Sequence, residues 1–396
     1  MNTIEHIKKR SSELKADIIA IRQHIHAHPE LSMAEVETTR FICSQLDSYN
    51  IPYNTNLLKT GVIALIKGNK PNKKVIALRA DIDALPITEN SKKNYCSQNT
   101  GVMHACGHDV HTASLLGAAK IISELKNSFE GTVKLIFQPS EEKLPGGALL
   151  MIKKGVLKNP APESIVAQHV YNTLEEGQVG FHAGEYMASC DEIYMTVKGK
   201  GGHAAIPAEV NNPLITASKI LTALNDYAVK NKNNAIPMIL SFGKIIGNGA
   251  TNVVPDEVYI EGTFRTMSEP FRKEAHQTIT RIVAQQAKAC GGKCDLIIEK
   301  GYPVLYNNPK LTEFAKTAAE EYLGKKNVVK LDKRMTSEDF AYYSHKIPAC
   351  FYRLGTGNKS KGITSAVHTS TFDIDENALV TGMGLMAWIT LKQLEG

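Results

Sequence analysis

Between residues 62 and 169, short apolar runs alternate with helical stretches, and this alternation limits the fold more than any other feature of the chain. Val62-Ile63-Ala64-Leu65-Ile66, Val75-Ile76-Ala77-Leu78 and Val133-Lys134-Leu135-Ile136-Phe137 are bounded by Gly, Pro and Asn and read as buried strands. Ser164 to His169 reads as another. Helices are expected over Ala34 to Leu46, over Thr112 to Leu125 with Thr112 or Asp109 near its start, and over Gly147 to Lys154. Strands alternating with helices imply an α/β domain of three layers around a mixed sheet. Ahead of it, Ile4, Ile7, Leu14, Ile18, Ile21 and Ile25 recur at helical steps and predict one amphipathic helix. That helix should stop near His28-Pro29, because a residue before proline disfavours the helical region.

From about Gly184 the texture changes. Ile193 to Val197 reads as a strand, Pro213 to Tyr227 as a helix, and Met238 to Ile246 and Val258 to Thr266 as two strands. Ser268 should cap a helix running to Ala289, with Pro270 in the first turn, where its missing N–H does no harm. Cys294 to Glu299 closes the segment as a strand. The order β-α-β-β-α-β is that of a ferredoxin-like module. After Gly301 the α/β texture returns, with helices over Pro309 to Leu323 and Glu376 to Leu394 and a strand at Cys350 to Leu354. The sequence therefore predicts a discontinuous α/β domain, 1–186 and 301–396, interrupted by an α+β domain, 187–300. A chain of 396 residues is long enough for two cores.

The charge balance argues against several functions. A net charge of +6 with Lys and Glu scattered leaves no basic stripe interleaved with aromatics, so nucleic acid is not an expected partner. No apolar run approaches the roughly 20 residues of a membrane span, and the first ten residues carry no signal-peptide core. Seven cysteines without a disulfide-framework rhythm suit a reducing cytoplasm. Cys290 and Cys294 flank Gly291-Gly292 at a helix-to-strand turn and read as packing residues.

Side chains that hold borderline divalent metals gather in His104-Ala105-Cys106-Gly107-His108-Asp109-Val110-His111. Other candidates follow strands, where open α/β sheets collect ligands: Asp81 and Asp83 after Val75 to Arg79, Glu141-Glu142 after Val133 to Gln138, and His169. His368 lies in a loop before the last helix. Each has a plainer reading alone: a solvated acidic pair, a hydrogen-bonded structural histidine, or in Asp81 a partner for Arg79. Together they offer a metal site with a carboxylate beside it, able to take a proton from water that the metal acidifies. In the inserted segment, Gly199 to Ala204 formally fits a dinucleotide pattern, but Pro207 stands where its helix must run. His203 then serves as a donor on a glycine turn. Arg265 can clamp a carboxylate or form a cross-strand ion pair.

These residues together resemble the amidohydrolase branch of the aminoacylase/carboxypeptidase metallopeptidases, which includes hippurate hydrolases, N-acyl-amino-acid deacetylases and hydrolases of indole-acetyl amino acids. The matching motifs run nearly end to end. They are His26 to Glu30, Arg79 to Pro86, Met103 to His111, Gln138 to Glu142 with Gly146 to Ala148, Gly201 to Ala205, Thr251 to Pro255, Gly262 to Arg265 and Ser337 to Phe340. The resemblance implies two divalent ions, drawn from Zn, Mn, Ni or Co, held by Cys106, His108, Glu142, His169 and His368. It makes Glu141 the general base, His203 an oxyanion donor, and Asn252 and Arg265 the binders of the amino-acid end. The inserted domain becomes a lid and dimer interface, and the matching histidine of such relatives often reaches the active site of the partner subunit. Where other branches of the clan place His-x-Asp, this chain has Arg79-Ala80-Asp81, so Asp81 is expected behind a ligand histidine rather than on a metal. The expected function is metal-dependent hydrolysis of the amide bond of N-acyl amino acids or small peptides with a free carboxylate. Two alternatives stand beside it: a non-catalytic metal- or ligand-binding protein on the same scaffold, and a thiol hydrolase with Cys106 as nucleophile and His108 as base.

Overall fold

A computed structural model describes residues 2–231 and 235–395. The chain divides into two compact units, 1–184 with 306–332 and 342–396, and 185–305 with 333–341. The short segment 333–341 thus clusters with the smaller unit, whereas the sequence reading keeps everything after 301 with the larger one.

The larger unit is built on an eight-stranded mixed sheet. In spatial order its strands are Tyr53–Asn54, Val62–Lys67, Thr132–Gln138, Val75–Asp81, Ser164–Glu175, Ala349–Gly357, Val179–Phe181 and Val328–Lys330. The strand Val75–Asp81 runs parallel to both neighbours, and Ala349–Gly357 runs parallel to Ser164–Glu175. Every residue of Val75–Asp81, Thr132–Gln138 and Ala349–Gly357 is buried. Both faces of the central sheet are therefore covered, as expected of a parallel sheet between helical layers. The helices His108–Glu124, Lys15–Ala27 and Ala378–Glu395 pack together, and the first and last of them also contact the strand Val75–Asp81.

Parallel pairing aligns the strand ends. Asp81 sits opposite Gln138, and Arg79 opposite Ala167. Two residues beyond that second pair come Asp81 and His169, and three beyond Gln138 comes Glu141. The register alone thus delivers three candidate residues to one edge of the sheet.

Two helical boundaries differ from the sequence reading. The single N-terminal helix is two, Thr3–Glu13 and Lys15–Ala27, joined at Leu14. Leu14 keeps a right-handed backbone, so the apolar stripe survives the break and Ile7, Leu14, Ile18, Ile21 and Ile25 are all buried. The helix expected to start near Thr112 or Asp109 starts at His108, one residue before the second of these, because Gly107 at φ 80° forms its N-cap. His108, Asp109 and His111 consequently occupy its first turn, buried despite their polarity.

The smaller unit carries the strands Asp191–Lys198, Met238–Ile246, Glu257–Thr266 and Lys293–Lys300 and the helices Pro213–Asn231 and Glu269–Ala289. The sheet is antiparallel throughout, with spatial order second, third, first, fourth. Strand Asp191–Lys198 alternates buried and half-buried residues, and its Ile193, Met195 and Val197 join Ile220, Leu224, Ile279 and Val283 in a separate core. Ser268 caps the second helix by accepting the Phe271 N–H, as its sequence position predicts.

Candidate metal centre

Several of the candidate side chains are placed by constrained backbone. Gly107 separates Cys106 from His108 in the left-handed region, and a Cβ there would lie 2.6 Å from Val170 Cγ2. Glu141-Glu142 follows Ser140, a non-glycine residue at φ 55°. The Ser140 N–H donates to Glu35 Oε1 at 2.8 Å and its carbonyl accepts the Gly147 N–H at 2.8 Å. Only glycine fits at 147, since a Cβ would stand 1.7 Å from the Pro139 carbonyl oxygen. His368 is held at φ 63° while its N–H donates to the Ala105 carbonyl at 2.8 Å.

The side chains meet. His169 donates from Nδ1 to the Val170 carbonyl at 2.9 Å, which turns Nε2 toward Cys106 Sγ, 3.5 Å away. His368 Nε2 lies 3.3 Å from both Cys106 Sγ and Glu142 Oε1. His108 Nδ1 faces Asp83 Oδ1 at 3.2 Å, and its Nε2 lies 3.9 Å from Glu142 Oε1. Asp83 also accepts the Ser32 hydroxyl at 2.6 Å and the Glu142 N–H at 3.0 Å, so one carboxylate orients His108 and Glu142 together.

Among the groups of donors that fall within 4.8 Å of one another are Cys106, His108 and His169; Cys106, Glu142 and His368; and His108, Glu141 and Glu142. Cys106 is common to the first two. His108 Nε2 and Glu142 Oε1 face one another, buried, and neither makes a well-formed hydrogen bond, although His368 Nε2 stands 3.3 Å from the oxygen. Buried polar atoms are rarely left so. Thiolate, imidazole and carboxylate donors converging on such atoms fit two metal ions, with Cys106 serving both groups.

The electrostatics agree. Burial, then Glu142 and Glu141, push the Cys106 thiol well above its ordinary range. Burial opposes a charge on His108, but Asp81 and Asp83 outweigh it and raise its pKa to about 10. Buried carboxylates thus surround a thiol and an imidazolium, an arrangement that asks for a cation. It also argues against the thiol-hydrolase alternative, since a nucleophilic cysteine needs a lowered pKa.

His111 lies equally near but is not free to bind. Its Nδ1 donates to Asp81 Oδ1 at 2.5 Å and its Nε2 accepts the Val170 N–H at 2.9 Å. Asp81 also takes Arg79 Nη1 at 2.5 Å. The carboxylate on His108 Nδ1 is therefore Asp83, whereas the sequence singled out Asp81 for the place behind a ligand histidine. Asp81 Oδ2 stands 3.7 Å from His108 Nε2. Sequence reasoning also passed over Glu35, whose carboxylate accepts the Thr60 hydroxyl at 2.8 Å and anchors the turn before Glu141.

The remaining candidates belong to the smaller unit. His203 pairs across a two-stranded ribbon with Val253, and the Ala204 N–H donates to the Asn252 carbonyl at 3.0 Å, so His203 and Asn252 are neighbours on an exposed turn. His203 Nδ1 accepts the Ala205 N–H at 3.1 Å, which leaves Nε2 as the donor of the neutral ring. Arg265 is half-buried, donating to the Met335 carbonyl at 3.2 Å and approaching Ser337 Oγ at 3.4 Å. Its cross-strand neighbour is Ile239, not an acid.

Known proteins are similar to this chain over most of its length. The profile of "Peptidase family M20/M25/M40" matches residues 77–392. An N-acetyl-L-cysteine deacetylase of Bacillus subtilis is 39% identical over 93% of this chain and 86% of its own. An N-acyl-L-amino acid amidohydrolase of Geobacillus stearothermophilus is 38% identical over 77% of this chain and 82% of its own. Among solved structures, the YXEP protein of Bacillus subtilis, described as a dinuclear metal-binding peptidase from the M20 family, superposes with a TM-score of 0.84 at 34% identity, covering 97% of this chain and 99% of that one. The chain belongs to peptidase family M20/M25/M40 and is a metal-dependent hydrolase.

Proposed function

We propose that this protein hydrolyses the amide bond of N-acyl amino acids, or of small peptides with a free carboxylate. The observation that carries the proposal is the Glu141-Glu142 turn set against a Cys/His donor cluster that is buried except at Glu142 and His368. Cys106, His108, Glu142, His169 and His368 would hold two divalent ions, with Zn, Mn, Ni and Co all compatible with mixed thiolate, imidazole and carboxylate donors. Bound there, the ions supply polarisation of the carbonyl and acidification of water. Glu141 takes the proton from water as its oxygen adds to the carbonyl carbon. It returns that proton to the amide nitrogen as the C–N bond breaks. His203, with its N–H at Nε2, donates to the developing oxyanion. Asn252 and the Arg265 fork hold the substrate carboxylate. The names of the deacetylase and amidohydrolase relatives support this substrate class.

The test is Glu141→Gln. Metal content should stay at the wild-type level, while turnover on N-acetyl, N-benzoyl and indole-acetyl amino acids falls about 10²- to 10⁴-fold. Near-normal turnover would remove Glu141 from the role. A wild-type protein inactive on the whole panel with each of the four metals would remove the substrate class.

We also place a lid and a homodimer interface in the smaller unit, 185–305 with 333–341, and the protein in the cytoplasm. Ile215 and Val229 on the helix Pro213–Asn231 and Ile245 on the edge strand Met238–Ile246 are more than half exposed, and an edge strand beside apolar surface suits pairing with a second copy. All seven cysteines are free, which suits a reducing compartment. Among the described residues no helix is long and apolar enough to cross a membrane.

A further inference from the structure

Behind the donor cluster lies a second set of buried charges that the proposed chemistry does not use. Arg22, in the middle of the helix Lys15–Ala27, is fully buried. Its Nε donates to Asp109 Oδ2 at 2.7 Å. Asp109 is the residue after His108 in the first turn of the helix His108–Glu124, and the same Oδ2 receives His26 Nδ1 at 2.8 Å. The other arms of the guanidinium reach the far side of the site. Nη2 lies 3.5 Å from Asp373 Oδ1 and Nη1 3.5 Å from Glu376 Oε1. Both acids lie in the segment that follows His368. Gln23 Nε2 donates to the same Glu376 oxygen at 2.8 Å, and the Arg22 guanidinium carbon stands 4.9 Å from the Tyr95 ring centre.

We propose that Arg22 is a positioning residue for the donor cluster: it ties the segment carrying His108 to the segment carrying His368, so that Cys106 can serve both groups of donors. This inference rests on the two-ion reading above. His108 belongs to the donor group with Cys106 and His169, and His368 to the group with Cys106 and Glu142. One planar side chain therefore touches a neighbour of each group. Guanidinium suits the task because its fixed fork holds several carboxylates at set angles, which a lysine ammonium does not. The 366–377 segment has a separate anchor. Asn172 Nδ2 donates to the carbonyls of Ser365 and Asp373, each at 2.8 Å. Loss of Arg22 should therefore leave that segment folded and change only how its side of the site is aimed.

The experiment measures ion affinity, not turnover alone. Chelator-stripped wild type, Arg22→Met, Arg22→Lys and Asp373→Asn are titrated with Zn²⁺ against a chromophoric competitor, and stoichiometry and affinity are read for each ion. Arg22→Met should bind at least one of the two ions about 10- to 100-fold more weakly, the range found when groups orienting a metal ligand are removed. Excess metal should restore its kcat with KM little changed. Arg22→Lys should recover only part of the affinity. Asp373→Asn keeps Arg22 and Asp109 paired but also loses the ion pair of Asp373 with Lys93, so with Lys93→Met as its control it decides the matter if Arg22→Met does not fold; it should weaken an ion where Lys93→Met does not. A purely structural role would lower thermal stability and leave ion affinity alone. Unchanged affinity for both ions in a folded Arg22→Met, or in Asp373→Asn where the former does not fold, overturns the inference and leaves the proposed function standing. A wild type that binds no ions overturns both.

Discussion

Loading the cluster with metal must drive protons out of it, and their number follows from the geometry. In the ion-free protein His108 is an imidazolium at neutral pH. Burial works against that charge, but Asp81 and Asp83 hold its pKa at about 10. Cys106 is a thiol, kept protonated by burial and then by Glu142 and Glu141. A metal takes only neutral imidazole and thiolate, so both protons leave on binding. Below both pKa values the apparent affinity should rise about tenfold per pH unit for each proton lost, and fall by the same factor on acidification. For His108 at pH 7 the gap of about three units costs about 4 kcal/mol of apparent binding energy. Calorimetric titration of the stripped protein with Zn²⁺, repeated in buffers of different ionisation heat, counts the protons directly. These two groups should contribute about two per fully loaded subunit. Any proton from water acidified at the site is common to all variants, so the difference between variants is the decisive number. Cys106→Asp keeps an anionic donor that is already ionised at neutral pH, and should release about one proton fewer than wild type. Equal release by the two proteins would refute the thiol assignment, and affinity independent of pH between about 6.5 and 7.5 would refute the whole electrostatic picture.

Gly107→Ala should destabilise the protein by about 2–5 kcal/mol, from about 1–2 for a left-handed alanine and about 1–3 for the contact of its Cβ with Val170. Adding Val170→Ala should return part of the second share in thermal unfolding; no rescue would show that the contact is not the cause. For the proposed assembly, Ile245→Lys in the edge strand should shift sedimentation toward monomer, whereas a wild type already monomeric at micromolar concentration would remove the homodimer.

The fold was legible where periodicity and burial agree. The runs Val62 to Ile66 and Val133 to Phe137 are apolar because both faces of the sheet are covered, and the β-α-β-β-α-β order of 191–300 appears as the antiparallel sheet it implies. The start of the helix His108–Glu124 was left open between Asp109 and Thr112 because its first turn is polar: His108, Asp109 and His111 are buried by contacts with residues distant in sequence. The affiliation of 333–341 with the smaller unit left no mark in composition. Within the site, residue type and placement marked out the His104 to His111 run, the Glu141-Glu142 pair, His169 and His368, and the resemblance narrowed the ligands to Cys106, His108, Glu142, His169 and His368, which the structure brings together. They could not say which of Asp81 and Asp83 meets His108. Period-two geometry puts both on one side, and only the turn after the strand separates them.

Arg22 shows most sharply why part of the site was unreadable. It lies beside Ile18, Ile21 and Ile25 on the buried stripe of its helix, where a charge looks like a breach of pattern. The breach makes sense only once Asp109, Asp373 and Glu376 come together from segments far apart in the chain. The same holds for the strained turns. Ser140 and His368 adopt positive φ without being glycine, at about 1–3 kcal/mol each, and Met33, next to the Ser32 that holds Asp83, does likewise. Sequence gives no reason for a serine, a histidine and a methionine to adopt this conformation. Tertiary bonds do: Glu35 holds the Ser140 N–H, Ala105 accepts from His368, and the donors so placed face one another across buried gaps. Strain, burial of charge and unpartnered donor atoms coincide at one place, where bound divalent cations would offset the last two.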